Sequence, residues 1–147
     1  MSNADAEQQR ALACAEAMYA EDHASRSLGM SIEAIAPGLA ALSMTVRQDM
    51  VNGHGICHGG FVFTLADSAC AFACNGYDRV TVLQGARIEL VRPAMLGDRL
   101  RAEARELHRG ARSGIYDVQV HRQDGKLVAA FRGNTVGTEK HILPEAT

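Results

Sequence analysis

The segment from Phe61 to Cys74 limits the fold of this chain more than any other feature. It reads Phe-Val-Phe-Thr-Leu-Ala-Asp-Ser-Ala-Cys-Ala-Phe-Ala-Cys, and as a helix it is apolar almost all the way round. Such a helix needs apolar cover on every side. Its small alanines let neighbouring backbone approach closely, and Asn75-Gly76 marks its end. We therefore predict a buried central helix.

Beyond this segment the sequence changes to a period of two, which is typical of strands. The positions predicted to share one face in each run are Val82, Gln84, Ala86, Ile88 and Leu90; Leu100, Ala102 and Ala104; Tyr116, Val118 and Val120; and Leu127, Ala129 and Phe131. Turn signals separate the runs, namely Pro93 with Gly97-Asp98, Arg109-Gly110 and Asp124-Gly125. The pattern predicts four long antiparallel strands.

Two further elements precede the central helix. Residues 6–19 have Leu12, Ala15 and Tyr19 at helical spacing, which predicts an amphipathic N-terminal helix. Residues 40–46 alternate as a strand does. A curved antiparallel sheet wrapped around a long buried central helix accounts for this order and gives an α+β fold class. A sheet of this size leaves exposed edges, so we expect pairing with a second copy.

Composition points to one ordinary domain. The chain has 147 residues without repeat or linker, so we predict a single domain over 1–147 with a core at about 36–140. The net charge is −2, no run reaches the ~18 apolar residues of a membrane span, and the acidic N-terminus lacks a signal pattern. The four cysteines form no disulfide framework. We expect a cytoplasmic protein with neither nucleic-acid nor membrane partners.

The glycine pair Gly59-Gly60 opens the central helix. The first N–H groups of a helix have no partner within it, and the helix dipole makes that end positive. Without side chains in the way, a thioester carbonyl can approach these groups, which would polarise it and hold the oxyanion of a tetrahedral intermediate. A flexible turn is the alternative interpretation of the same pair.

Asp67 is a carboxylate in the middle of this apolar helix. Burying a charge without partners costs several kcal/mol, so the residue is either functional or a core aspartate satisfied by Ser68, backbone or a partner subunit. Gly60 and Asp67 are seven residues apart, about 10 Å along a helix. Both groups must lie within roughly 3 Å of the carbonyl on which they act. If both act on one substrate, the glycines of one subunit should face Asp67 of another.

The run Asn-Gly-His-Gly-Ile-Cys-His-Gly-Gly over residues 52–60, followed by Leu65-Ala66-Asp67, resembles the signature of the phenylacetic-acid-degradation thioesterases of the hotdog superfamily. Arg92-Pro93-Ala94, Gly97-Asp98 and Asp124-Gly125-Lys126 are also similar to that family's pattern. The similarity covers roughly residues 40–138. It implies the hotdog fold and hydrolysis of acyl-CoA thioesters without a metal or other cofactor, coenzyme A being part of the substrate.

The resemblance also implies roles for individual residues. Asp67 matches the catalytic carboxylate, acting as nucleophile or general base, and the Gly59 N–H matches the group that polarises the thioester carbonyl. Asn52 matches the polar residue that positions water or the carbonyl, and His58 lies beside the site. The family is usually a homotetramer of two dimers with each site across a dimer interface. Phenylacetyl or hydroxyphenylacetyl groups are the expected acyl groups, and medium-chain fatty acyl groups are the alternative.

Coenzyme A is highly anionic, so arginines and lysines near strand ends are its expected partners. The residues predicted to bind substrate are Gly60, Ser68, Arg92, Arg109, Arg112 and Lys126.

Four rival interpretations remain open. His54, Cys57 and His58, with Cys70 or Cys74, could hold a metal, although their spacing fits no closed zinc pattern. Cys57 could be a nucleophile activated by a histidine. A hotdog hydratase would act on the acyl chain instead of the thioester. A non-catalytic acyl-CoA binding or regulatory protein would use the same pocket, but it has no need of a carboxylate at position 67.

Overall fold

The computed structural model describes residues 1–145. Its helices are α1 (Asn3–Glu21), α2 (His23–Ser27) and α3 (Gly59–Cys74), with a 3-10 turn over Gln48–Met50. Its strands are β1 (Ser31–Ala36), β2 (Leu39–Thr45), β3 (Thr81–Leu90), β4 (Arg99–Arg109), β5 (Ser113–His121) and β6 (Leu127–Gly137). Within these residues, no helix is both long and apolar enough to cross a membrane.

The strands form one antiparallel sheet in the order β1-β2-β4-β5-β6-β3. Helix α3 packs against every one of them, so the sheet curves around the helix as predicted. The alternating residues of β4 and β5 face this core, where Leu100, Ala102, Val118 and Val120 are fully buried. The α+β hotdog architecture is thereby confirmed.

The predicted burial of α3 on every side is wrong along one stripe. Gly60 is exposed, and Phe63, Thr64, Asp67, Ser68 and Ala71 are partly exposed. These positions recur at helical spacing, so they form one face. The sheet covers the rest of the helix, and this stripe is where a single chain leaves α3 open.

The predicted alternation of β3 is also wrong at its start. Leu83 pairs with Thr135 and Gly85 with Asn134, so Gln84 is an extra residue in a β-bulge. The bulge reverses the faces of the strand, which turns Leu83 towards the core and leaves Val82 49% exposed. Ile88 still packs against the core, as predicted. β3 forms one edge of the sheet.

The N-terminal region departs furthest from the sequence prediction. α1 is longer than predicted, and it buries Ala11, Cys14 and Ala15, while the predicted contact residue Leu12 is 48% exposed. The short helix α2 and the edge strand β1 were not predicted. β1 buries a single residue, Ile35, so it lacks the clear alternation by which a strand is recognised.

Candidate active site

The first turn of α3 separates the roles of its two glycines. His58 caps the helix, its Nδ1 accepting the Gly60 N–H at 3.0 Å. The His58 carbonyl accepts the Phe61 N–H at 2.9 Å. Within residues 1–145 the Gly59 N–H donates to no protein group. Gly59 therefore presents the free donor at the positive end of α3, whereas the Gly60 N–H is already occupied.

A cavity of about 310 Å³ lies at this end of α3. Asn52, Gly59 and Arg92 contribute to its wall, together with apolar residues that include Leu90 and Val128. A Cβ at position 59 would lie 2.6 Å from Leu90 Cδ1, so any larger residue here would have to displace the Leu90 side chain. The cavity thus combines a free backbone donor with apolar surface, which suits a carbonyl attached to an apolar group.

Asn52 organises the loop that leads to α3. Its Oδ1 accepts the N–H groups of His54 at 2.9 Å and Ile56 at 3.2 Å. The loop is fastened further by the Cys57 N–H, which donates to the Ala94 carbonyl at 2.8 Å. Because Oδ1 is used within the loop, the Asn52 Nδ2 is left as a donor at the cavity wall.

Asp67 is the partly exposed carboxylate of α3, and its side chain makes no hydrogen bond within the described residues. Burial raises its pKa above the ordinary 3.8, and the charge of Asp22 raises the pKa further. Asp67 is eight residues from Gly59 on one continuous helix, which is about 12 Å. One chain therefore does not bring the two groups to the same carbonyl.

Ser68 belongs to a hydrogen-bonded chain that the sequence did not predict. Its hydroxyl lies 2.8 Å from that of Ser25, and the Ser25 hydroxyl lies 2.6 Å from Asp22 Oδ2. Asp22 also caps α2 by accepting the Ser25 N–H at 2.9 Å. An aspartate just before a helix is a typical N-cap residue, but nothing local indicates that Asp22 and Ser25 contact α3.

The four predicted basic residues lie at two ends of the molecule. Arg92 is at the cavity beside Gly59, where it donates to the Leu127 carbonyl at 2.7 Å, and Lys126 precedes that residue in the β5–β6 turn. Arg109 and Arg112 are at the other end of α3, near Cys74. The two ends are separated by the length of α3, roughly 22 Å.

Arg109 and Arg112 line a second cavity, of about 290 Å³, which also contains Arg79. The Arg109 guanidinium lies 3.6 Å from the centre of the Tyr77 ring. Burial and a hydrogen bond to Glu106 raise the pKa of Tyr77 to about 12, so it stays neutral. In the described part of the chain none of these arginines forms an ion pair with a carboxylate. Sequence reasoning missed Arg79.

The cysteine and metal interpretations find little support in the geometry. Cys57 is buried, and burial raises the pKa of its thiol, which makes it a weaker nucleophile at neutral pH. Cys70 and Cys74 are buried in the core. Across residues 1–145, no group of three or more His, Cys, Asp or Glu side chains is arranged to hold a metal ion.

Comparison with known proteins identifies the family. Residues 54–129 match the family model described as Thioesterase superfamily. The chain is 42% identical over 121 residues to acyl-coenzyme A thioesterase PaaI of Escherichia coli K12, covering 82% of this chain and 86% of that protein. The structure of E. coli PaaI superposes with a TM-score of 0.90 at 39% identity, covering 91% of this chain and 97% of that one.

Two further structures are similar. A mutant of the phenylacetic acid degradation protein PaaI from Thermus thermophilus superposes with a TM-score of 0.73 at 38% identity, covering 76% and 96% of the two chains. The protein smu.793 of Streptococcus mutans UA159, bound to acetyl CoA, superposes with a TM-score of 0.74 at 25% identity, covering 76% and 90%.

Proposed function

The chain belongs to the thioesterase superfamily and is an acyl-CoA thioesterase of the hotdog fold, and from this premise we propose that Asp67 and Gly59 carry the reaction. The observation that supports this most is the single free N–H of Gly59 beside an apolar cavity. The thioester carbonyl oxygen accepts this N–H, and the α3 dipole stabilises the negative charge that develops there. The Asn52 Nδ2 positions the carbonyl or the attacking water from the cavity wall, and His58 holds the turn by capping α3.

Asp67 supplies the carboxylate of the reaction. Its raised pKa and lack of hydrogen-bond partners among residues 1–145 leave its oxygens available and basic. It either attacks the thioester carbon, giving a mixed anhydride that water then hydrolyses, or removes a proton from the attacking water. Both routes end in free acid and coenzyme A, with the proton delivered to the leaving thiolate. Water is the only co-reactant, and in this proposal the residues of the chain carry the reaction without a metal or other cofactor.

The complete site is formed by two copies of the chain. Asp67 and Gly59 lie eight residues apart on α3, so a second copy must bring its own Gly59 to Asp67. The open stripe of α3 and the edge strand β3, on which Leu90 is an exposed apolar residue, offer a surface for that copy. We infer a homodimer in which each site contains Asp67 of one copy and Gly59 of the other, and two such dimers form a homotetramer.

Arginines hold the phosphates of coenzyme A. Arg109 and Arg112 share a cavity with Arg79 and have no carboxylate partner among the described residues, so their charges are available to an anion. Arg92 and Lys126 lie at the opposite end of α3, beside Gly59. In a dimer with antiparallel α3 helices, the arginine cavity of one copy and the Gly59 cavity of the other lie at the same end, as one long ligand requires. Gly60 and Ser68 line the stripe between them.

The acyl group that we favour is phenylacetyl or hydroxyphenylacetyl, and medium-chain fatty acyl groups are the alternative. Phe61 and Phe63 are partly exposed on α3, and Phe63 packs edge-on against Phe131 at 5.5 Å between ring centres. Phe72, in contrast to Phe61 and Phe63, is buried against Tyr19 in the core. We place the reaction in the cytoplasm, in keeping with four free cysteines.

Thiol release from a panel of aryl- and fatty-acyl-CoAs tests the proposal. We expect turnover by the wild type, with the highest kcat/KM for aryl-CoAs, and a loss of about 10²–10⁴-fold in Asp67→Asn. The matched control is Asp49→Asn, which removes an exposed carboxylate paired with Arg47 and should leave turnover unchanged. Binding of acyl-CoA without thiol release would contradict the proposal and make the chain a binding protein.

A further inference from the structure

The connection between α1 and α2 reaches the middle of α3 through the hydroxyl groups of Ser25 and Ser68. Ser25 is 1% exposed. Its Oγ lies 2.6 Å from Asp22 Oδ2 and 2.8 Å from the Ser68 Oγ. Ser68 directly follows Asp67, so this chain of hydrogen bonds ends beside the proposed catalytic carboxylate. The proposed mechanism does not use Asp22 or Ser25.

The direction of the hydrogen bonds in this chain follows from the chemistry of its members. An ionised carboxylate only accepts hydrogen bonds, so the single proton of Ser25 is donated to Asp22. The bond between the two hydroxyls then requires Ser68 to be the donor and Ser25 the acceptor. The Ser68 proton is thereby held away from its other common partner, the carbonyl four residues earlier in the helix.

Ser68 can therefore form a further hydrogen bond only as an acceptor. Its oxygen keeps a lone pair that is free to accept a hydrogen bond, and both Asp67 and Ser68 are partly exposed on the open stripe of α3. Neighbouring helix positions point about 100° apart, so the two side chains do not bond each other but border the same space. A water molecule in that space attacks through its lone pair only when its protons are accepted by other groups.

We propose that Asp22 and Ser25 are positioning residues of the thioesterase: they hold Ser68 as a hydrogen-bond acceptor that orients the attacking water beside Asp67. One proton of that water is directed to Ser68, and its lone pair then faces the carbonyl carbon. No proton passes along the chain of hydroxyls, so the overall reaction is unchanged. The inference rests on the proposed function, because it assigns an orienting role within the same reaction.

The electrostatic setting of Asp67 agrees with this arrangement. Asp22 is the charged group that acts on Asp67 from the α1–α2 connection, and it adds to the effect of burial in raising the Asp67 pKa. Cys70, a buried thiol further along α3, is the ionisable group on the same helix that the Asp67 charge reaches. Replacing Asp22 by a neutral residue should therefore also move the acid limb of the rate profile to lower pH.

The Asp22→Asn substitution reverses the direction of the hydrogen bonds between these side chains and keeps the cap of α2. The amide oxygen keeps accepting the Ser25 N–H, and asparagine caps helices as well as aspartate does. The amide NH₂ then faces the Ser25 hydroxyl, so Ser25 donates to Ser68, and the Ser68 proton turns towards the stripe. We expect kcat to fall about tenfold, the effect of roughly one hydrogen bond, with KM nearly unchanged.

Alanine variants complete the experiment. Ser25→Ala and Ser68→Ala should each lower kcat by a similar factor, and the double variant should be no slower than either single one because all act through one acceptor. Ser27→Ala is the matched control, since it removes an exposed hydroxyl from the same short helix. Thermal unfolding of every variant separates loss of fold from loss of rate.

These experiments distinguish failure of the inference from failure of the proposed function. If the wild type releases no thiol, the proposed function fails. If the wild type is active and Asp67→Asn is not, but folded Asp22→Asn and Ser25→Ala keep the wild-type kcat, only the inference is overturned. A rise in KM with unchanged kcat would also overturn it, because Ser68 would then bind substrate instead of orienting water. Additive losses of kcat in the double variant would contradict the claim that Ser25 and Ser68 act through one acceptor.

Discussion

At the scale of single residues, Asp67 is a partly buried carboxylate whose proposed catalytic role has a cost in stability. The folded state raises its pKa through burial and the charge of Asp22. An acid with a raised pKa loses its proton less readily in the folded than in the unfolded chain. The folded state is therefore favoured most below the ordinary pKa of 3.8, and stability is lost as the pH rises through the folded pKa.

Asp67→Asn should consequently be more stable than the wild type at neutral pH although it is inactive. The difference should shrink towards pH 3, where the wild-type carboxyl is protonated as well. Urea unfolding of both proteins across this pH range measures the effect. A variant that is less stable than the wild type at pH 7 would mean that the ionised carboxylate is satisfied in the folded protein.

Even a methyl group at position 59 should lower the rate of the reaction. Gly59→Ala places a methyl group 2.6 Å from Leu90 Cδ1 and beside the free N–H. The N–H is kept, but the methyl group hinders a carbonyl from reaching it, so we expect kcat to fall about 10²-fold or more, an effect comparable to removing an oxyanion donor. Gly60→Ala is the matched control, since its N–H is already bound to His58 and its Cβ would meet that ring at 3.1 Å. A greater loss in Gly60→Ala would contradict the separate roles of the two glycines.

Sequence analysis singles out individual residues where a residue conflicts with its local surroundings. Asp67 stands out because a carboxylate is costly in an apolar helix, and Gly59 because it opens that helix. Ser25 and Asp22 follow an ordinary capping pattern, and their contact with Ser68 depends on how α2 packs against α3. That packing is a long-range property, so no local pattern indicates it.

At the scale of elements, the central helix and the four strands after it were predicted from periodicity, and the bulge in β3 was not. Gln84 is polar in either register, so the alternation of Val82 with Ile88 looks continuous in the sequence. The pairing with β6 places Leu83 in the core instead. β1 escaped prediction for a related reason, since an edge strand with one buried residue has little periodicity.

Replacing glycines by alanine tests the close packing of β6 on α3. A Cβ at Gly133 would lie 2.8 Å from Leu83 Cδ1 and 3.2 Å from the Cys70 Sγ. Gly133→Ala should therefore lower the free energy of unfolding by about 1–3 kcal/mol through overpacking. Gly85→Ala, where a Cβ meets nothing within 4 Å, should be neutral or slightly stabilising. Equal denaturation midpoints for both variants would contradict the tight contact.

At the scale of the whole molecule, one chain contains both proposed catalytic groups but does not bring both to the same carbonyl. The helix that carries Gly59 and Asp67 is continuous, so the distance between them cannot shorten without breaking it. The open stripe of α3 and the unpaired edge of β3 belong to the same copy. The spacing of Gly59 and Asp67 in the sequence is enough to predict a site shared between two copies. The arrangement of the copies in a tetramer depends on surfaces that this spacing does not describe.

Complementation between two inactive variants tests the central claim most directly. Asp67→Asn and Gly59→Ala are each purified, mixed in equal amounts, unfolded and refolded together, and assayed for thiol release. Each mixed dimer then has one site with both changes and one site with neither. Random pairing should restore about a quarter of the wild-type rate, while each variant refolded alone stays inactive. If the mixture stays at the level of the separate variants although mixed dimers form, each chain carries its own site and the account is wrong.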